Sequence, residues 1–299
     1  MFASEDAIVR VAVLGVSGML GSAAFHILSE RLPGQVCGTA RSSAILRAFQ
    51  PEAAENIAVG LDVQDFDALA GFLRETRPTV IVNCIGVVKQ LATAEDPLTA
   101  IPINSLLPHR LARLADLIGA RLIHVSTDCV FTGEKGGYTE GDRPDAKDLY
   151  GRSKLLGEVD YENAITLRTS IIGHEIGSQN GLVEWFLAQQ GRVKGYRNAI
   201  FSGLTTDELV RVIVDYVMPA PELRGVYHVS VDPISKFDLL SIVKNAYGRT
   251  TEIEPDDEIA VDRSLDSRRF RSAVGYVPSH WPDLIKRMRA FQETFLSQV

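Results

Sequence analysis

Between an apolar, β-branched stretch ending at Leu14 and a segment of helical period stands Gly15-Val16-Ser17-Gly18-Met19-Leu20-Gly21, and few folds accept a G-x-x-G-x-x-G in that position. Without Cβ atoms, Gly15 and Gly18 let the backbone turn sharply and approach a pyrophosphate, and Gly21 permits close packing of helix on strand. The free N–H groups of the new helix then face an anion. Ser17, Met19 and Leu20 share the turn and join the three glycines as candidate dinucleotide contacts. A triphosphatase phosphate loop would need a lysine where the chain has Leu20-Gly21-Ser22, and a nucleophile elbow would need glycine at Met19.

The surrounding rhythm agrees. Strand candidates are Ile8–Leu14, Val36–Thr39, Ala58–Leu61, Val80–Asn83 and Leu122–Val125. Leu20, Ala24 and Leu28 share a helix face that stops at Pro33-Gly34, and Asp65 caps a helix carrying Leu69, Phe72 and Leu73 that stops before Pro78. Strands alternating with crossover helices predict an α/β fold, a doubly wound parallel sheet, over residues 1–170. Farther on, helical patterns at 181–190, 207–217, 237–247 and 281–295 and short strands near Lys194 and Val226 predict a smaller α/β lobe over 171–299. Segments near 205–230 are expected to return to the sheet domain. A cleft between the two lobes is the expected ligand site.

Composition removes other classes. A hydrophobic content of 45% suits a substantial core, and a net charge of −7 argues against nucleic acid or an anionic membrane as partner. No apolar run approaches the ~18 residues of a membrane span. Glu5 and Asp6 stand where a signal peptide would carry Lys or Arg, and Cys37, Cys84 and Cys129 are far apart among apolar residues. These features predict reduced, buried thiols in a cytoplasmic protein. The six histidines are dispersed, so no metal is expected; His124 reads as a satisfied structural imidazole.

At the end of the second strand, where an NAD-specific site holds a carboxylate against the ribose diol, the chain has Arg41-Ser42. A guanidinium there suits a 2′-phosphate, so NADP(H) is preferred, with NAD(H) the second choice. Asp62-Val63 follows the third strand, within reach of an adenine amine. Tyr150 and Lys154 are four positions apart, one helical turn, and a cation beside a phenol lowers the phenol's pKa into a range useful for proton transfer.

Read with what precedes it, this pair carries a family likeness. The order of the glycine-rich turn, Asn83-Cys84-Ile85-Gly86, Asn104, Ser126-Thr127-Asp128-Cys129-Val130-Phe131 and Tyr150-Gly151-Arg152-Ser153-Lys154 resembles the extended short-chain dehydrogenases/reductases. Within them it is similar to the dTDP-4-dehydrorhamnose reductase branch. Tyr138–Pro144, Leu167–Ser170 and Tyr227–Ser230 extend the likeness over nearly the whole chain. The resemblance implies a Rossmann-type domain and reduction of a 4-keto nucleotide sugar for surface polysaccharide precursors. It implies Tyr150 as general acid, Lys154 on the nicotinamide ribose, Thr127 on the carbonyl oxygen and Asn104 as anchor of a proton-relaying water. Asn83 to Gly86 would pass beside the cofactor, and the helices at 104–118 and 150–163 correspond to the family's usual homodimer surface.

The likeness also has gaps. The branch typically has tyrosine where this chain has Cys129 and tryptophan where it has Ile171, so the sugar or its 2-substituent is expected to differ from 4-keto-rhamnose. Lys89 and Gln90 replace small and hydroxyl residues and are candidate substrate contacts. Arg192, Lys194, Arg263, Arg268, Arg269 and Arg271 are candidates for the substrate pyrophosphate, Arg268 through a stretch that resembles the one completing the site in relatives. Two alternatives stay open: an epimerase or dehydratase of the same superfamily, and a non-catalytic NADP-binding subunit resembling the partner of methionine adenosyltransferase.

Overall fold

The computed structural model describes residues 9–89 and 92–296. Seven parallel strands form the central sheet: β1 (Val11–Leu14), β2 (Val36–Ala40), β3 (Ile57–Val59), β4 (Val80–Asn83), β5 (Arg121–Thr127), β6 (Ala164–Thr169) and β7 (Gly225–His228). Their spatial order is β7-β6-β5-β4-β1-β2-β3, so the winding reverses between β1 and β4. In such sheets a crevice opens at the carboxyl ends of the strands where the winding reverses.

Alternation along β1 shows how the sheet is buried on both faces. Val11 and Val13 point into one core cluster with Phe25 and Leu28 of α1 (Met19–Arg31), whereas Ala12 and Leu14 point into the other. That second cluster holds Leu69 and Leu73 of α2 (Phe66–Thr76) and Leu111 and Ala115 of α3 (Leu107–Leu117). Asp65 caps α2 by accepting from the N–H groups of Asp67 and Ala68. β3 ends at Val59, two residues before the expected Leu61, because Gly60 takes φ +79° and turns the chain.

β6 was not among the predicted strands, yet all six of its residues are buried. Its Arg168 tolerates burial because its guanidinium is paired inside the protein. β7 adds to the sheet beside β6, in register from Gly225 with Ile165. The terminal helix stops at Phe291, and Gln292–Leu296 continue as a wider turn.

Among the described residues, three smaller sheets lie outside the seven-stranded one. Arg192–Tyr196 pairs in parallel with Glu252–Asp256, and Ala199–Phe201 pairs with both Ile234–Ser235 and Val261–Asp262. The loop at Tyr138 bridges to Leu265. That bridge brings the chain after β5 against the stretch that follows Val261–Asp262, and Tyr138 and Leu265 bury Val130 and Phe131 between them.

Candidate functional site

The glycine-rich turn lies at the reversal point. Gly15 takes φ +86°, and its N–H donates to Thr39 Oγ1 at 3.1 Å while the Val16 N–H donates to the Thr39 carbonyl at 3.0 Å. A Cβ on Gly21 would sit 2.0 Å from the Gly15 carbonyl oxygen, so this glycine closes the turn upon itself. Close packing of helix and strand recurs at Gly38, where a Cβ would stand 2.6 Å from Val16 and 3.0 Å from the Phe25 ring. Ser17 and Gly18 are exposed and Met19 half-buried, but Leu20 is in the core and offers a ligand only its backbone. α1 begins without a side-chain cap or an acidic residue in its first turn, which leaves its N-terminal end electropositive.

Arg41 and Ser42 are exposed at the end of β2. Ser42 Oγ accepts from the Ala44 N–H, and among the described residues no carboxylate pairs with Arg41. Asp62 is exposed and accepts from the Gln64 N–H at 2.9 Å; Val63 packs on the second core cluster.

At the end of β4, Asn83 is buried. Its Oδ1 accepts from the Ile85 N–H at 3.1 Å and its Nδ2 meets His124 Nδ1 at 3.1 Å. His124 is thus only half satisfied, because its buried Nε2 has no hydrogen-bond partner among the described residues; this corrects the expectation of a satisfied imidazole. Cys84 packs against the first core cluster, and burial pushes its thiol up to about 12. The Ile85 side chain lies against Gly15. The three cysteines are free and half-buried.

Gly86 is where the set converges: a Cβ there would lie 3.4 Å from Asn104 Oδ1 and 3.9 Å from Lys154 Nζ. Asn104 sits in a wide helical turn, Ile101–Leu106, so it is not the N-cap of α3. Its Oδ1 accepts from the Val87 N–H at 2.9 Å, and its Nδ2 donates to Val87 O and Ser153 Oγ, both at 3.2 Å. The side chain is committed to pinning the loop after β4 onto the helix that carries the lysine.

That helix, α4 (Leu149–Leu156), is capped by Asp148, which accepts from the Gly151 N–H at 2.7 Å. Lys154 is buried, donates from Nζ to the Val125 carbonyl at 2.8 Å, and is pulled down to about 8 by loss of hydration, with Glu158 opposing. Tyr150 is half-buried and hydrogen-bonded to Thr127. Burial above all, then the Cys129, Asp128 and Asp148 side chains, hold its phenol above the ordinary tyrosine range. The expectation that Lys154 acidifies the phenol is therefore corrected: the ammonium turns to Val125, and the tyrosine is kept protonated.

Thr127 Oγ1 accepts from the Cys129 N–H at 3.1 Å and donates to Asp128 Oδ1 at 3.3 Å. Beyond it, Cys129, Phe131, Thr132, Glu134, Ala146, Lys147, Asp148 and Arg263 line a cavity of about 260 Å³. Lys89 joins this rim through an ion pair with Asp148 at 2.7 Å, and Gln90 lies outside the described residues. Ile171 is half-buried against the first core cluster. Of the cationic candidates, Arg263 lines the cavity, its Nε donating to Phe131 O at 2.8 Å. Arg268 is 84% exposed and paired with Asp266, so it does not close the site; Arg192 pairs with Glu252 and Glu254, and Lys194 with Asp256 and Glu258. Arg269 lies over the Tyr227 ring and Arg271 bonds Ser267 and Ser230. A wider hollow at Arg10, Arg74, Glu75, Thr76 and Arg77 adjoins the opposite, amino ends of β1 and β4 and shares no residue with this set.

Sequence reasoning missed the buried pair just past α4: Glu158 is gripped by Arg168, which bonds His228. The available signal was a carboxylate four residues after the lysine. Among the described residues no group of His, Cys, Asp or Glu is placed to hold a metal ion, and no helix is long and apolar enough to cross a membrane.

A reversal between β1 and β4 with a glycine turn in the crevice is the architecture of the dinucleotide-binding Rossmann class. The chain belongs to the family described as RmlD substrate binding domain, which matches residues 9–290. It is similar to the "probable low-salt glycan biosynthesis reductase" of Haloferax volcanii, 28% identical over 213 residues, covering 69% of this chain and 64% of that protein. The methionine adenosyltransferase 2 subunit beta of Rattus norvegicus is 31% identical over 150 residues, which cover 50% of this chain and 41% of that one. Among solved structures, a hypothetical dTDP-4-dehydrorhamnose reductase from Sulfolobus tokodaii superposes with a TM-score of 0.75 at 27% identity, covering 91% of this chain and 98% of the other.

Proposed function

We propose that the protein reduces the 4-keto group of a 4-keto-6-deoxy nucleotide sugar at the expense of NADPH, in the making of surface polysaccharide precursors. The observation that carries this reading is the meeting of Thr127 and Tyr150 beside Lys154, with Lys154 next to Gly86 at the crevice. The dinucleotide fits the residues present: Gly15, Gly18 and Gly86 keep the crevice free of side chains, α1 offers bare N–H groups, and Arg41 extends an unpaired guanidinium where a 2′-phosphate would lie. NAD(H) would bind without that last contact. The nicotinamide supplies hydride when bound. Tyr150, held protonated, gives its proton to the ketone oxygen; Thr127 Oγ1 steadies that oxygen, and Lys154 holds the ribose hydroxyls in line. The cavity beside Cys129 receives the sugar, and the absence of an aromatic ring at Cys129 favours a hexose other than 4-keto-rhamnose. A homodimer would cover Leu117 and Leu156, which are 81% and 64% exposed on α3 and α4.

Purified protein with NADPH and a panel of 4-keto-6-deoxy sugars on dTDP and UDP is expected to lose NADPH absorbance and yield the reduced sugar by mass. Sugar isomerised with no net NADPH consumption would point to an epimerase. The likeness to the rat subunit favours a second reading, a regulatory dinucleotide-binding protein; tight NADP binding without turnover of any sugar selects it. Arg41→Ala is expected to weaken NADPH binding by about 10- to 100-fold and leave NADH binding nearly unchanged, because it removes one charge-assisted contact worth about 1.5–3 kcal/mol. Equal weakening of both dinucleotides in a binding titration would refute the assignment of Arg41.

A further inference from the structure

Two consecutive residues of the wide turn before α3 reach across to the helix that carries Tyr150 and Lys154, and both arrive at Ser153. Asn104 Nδ2 donates to Ser153 Oγ at 3.2 Å, and Ser105 Oγ donates to the Ser153 carbonyl at 2.8 Å. Ser153 Oγ in turn donates to the Tyr150 carbonyl at 3.0 Å. Asn104 and Ser153 are each 1% exposed, so bulk water does not reach these groups. A buried hydroxyl that only needed a partner would be satisfied by the Tyr150 carbonyl, and alanine would serve the helix better. The bond from Asn104 is what ties this serine to another part of the site.

The valences of Asn104 fix the arrangement. Its Oδ1 accepts from the Val87 N–H at 2.9 Å while its Nδ2 donates to the Val87 carbonyl at 3.2 Å, a reciprocal pair that sets which end of the carboxamide is which. The second Nδ2 hydrogen goes to Ser153, and the carboxamide has no hydrogen left to give. The Asn104 carbonyl is closed off as well: a Cβ on Gly157, at the end of α4, would stand 1.9 Å from its oxygen. The family likeness implied that Asn104 anchors a proton-relaying water; here its polar groups run from the loop after β4 to the tyrosine's own helix. At one end, Val87 follows Gly86, where a Cβ would lie 3.9 Å from Lys154 Nζ, and at the other stands the carbonyl of Tyr150.

We propose that Ser153 is a positioning residue: through the carboxamide of Asn104 it sets the helix of Tyr150 and Lys154 at a fixed distance from the loop at Gly86 and Val87. The role rests on the reductase reading, in which Tyr150 gives the proton and Lys154 holds the ribose. In that reaction the phenol must meet the ketone as hydride arrives, and a displacement of about 1 Å can cost about 10²-fold in rate. Ser153 touches no reactant and acts through the backbone of Tyr150. Without its hydroxyl a buried N–H of Asn104 loses its partner, the carboxamide is free to turn, and helix and loop can drift apart.

Ser153→Ala is expected to lower kcat for the keto sugar about tenfold per mole of bound NADPH, with the Kd of NADPH within about twofold of wild type. Counting turnover per bound dinucleotide removes any loss through misfolding. Asn104→Ala breaks the same clamp, so the double variant Asn104→Ala/Ser153→Ala is expected to be no slower than Asn104→Ala alone. A second readout needs neither dinucleotide nor substrate: amide hydrogen exchange of Val87, followed by NMR in ¹⁵N-valine-labelled protein with the signal assigned through Val87→Ile. Ser153→Ala is expected to speed that exchange about tenfold or more, since Asn104 Oδ1 is the acceptor of the Val87 N–H. Wild-type kcat in Ser153→Ala overturns the proposal, as does wild-type exchange at Val87 or a double variant whose loss is the product of the two single losses. A relay water held by Asn104 alone predicts the first of these, a slow Asn104→Ala beside a Ser153→Ala of normal rate. If exchange at Val87 rises while no form of the protein turns over a keto sugar, the clamp stands and the reductase reading fails instead.

Discussion

Tyr150→Phe is expected to lower reduction of the keto sugar by about 10²–10⁴-fold while leaving the fold and dinucleotide affinity in place. The ring stays in its half-buried seat, and the loss to the folded protein is one hydrogen bond to Thr127, about 0.5–1.5 kcal/mol. The loss to the reaction is the proton itself. Because burial holds the phenol above its ordinary range, Tyr150 stays protonated through neutral pH, which suits the reducing direction. The alkaline limb of kcat/KM should therefore belong to Lys154, charged below about 8 and neutral above it. Activity is expected to decline as pH rises through that value, in wild type and in whatever residual activity Tyr150→Phe retains. Steady-state rates across pH, paired with a binding titration of NADPH, check both parts. Equal turnover by wild type and Tyr150→Phe across the sugar panel would remove Tyr150 from the chemistry and favour the regulatory reading.

The parallel sheet was legible because its first strands are short apolar runs and its helices are closed by punctuation that acts locally: Pro33-Gly34 after α1, Asp65 capping α2, Pro78 stopping it. β6 was not, because its polar residues find their partners only in the fold: Arg168 in Glu158 and His228, Thr166 in the Val159 backbone. At the site, spacing along one helix placed Tyr150 and Lys154 on neighbouring turns. It could not show that the ammonium would turn to Val125, since that carbonyl comes from a strand 29 residues away in sequence. The sorting of the cations was hidden for the same reason. Arg263 and Arg268 look alike in sequence, yet one is drawn to the cavity by the Phe131 carbonyl and the other is held outside by Asp266.

Gly21→Ala is expected to abolish measurable dinucleotide binding and to destabilise the protein by about 1–3 kcal/mol. The added Cβ would fall 2.0 Å from the Gly15 carbonyl oxygen, 2.7 Å from its carbon and 3.1 Å from Val16 Cα, all backbone atoms with no rotamer to yield. The turn cannot simply recede. Gly15 is fixed by Thr39 Oγ1, its carbonyl accepts the Gly18 N–H at 3.1 Å, and the Ile85 side chain closes its other side. Any shift that admits the methyl moves the N–H groups that would face a pyrophosphate. Gly71→Ala serves as the contrast: it lies inside α2 with nothing within 4 Å of the new Cβ, so it should stabilise by about 0.5–1 kcal/mol and leave binding untouched. Denaturant midpoints and NADPH titrations on the two variants separate a specific defect of the turn from a general effect of adding a methyl group. Wild-type affinity in Gly21→Ala would mean that the dinucleotide does not use this turn, and the cofactor site would have to be sought elsewhere.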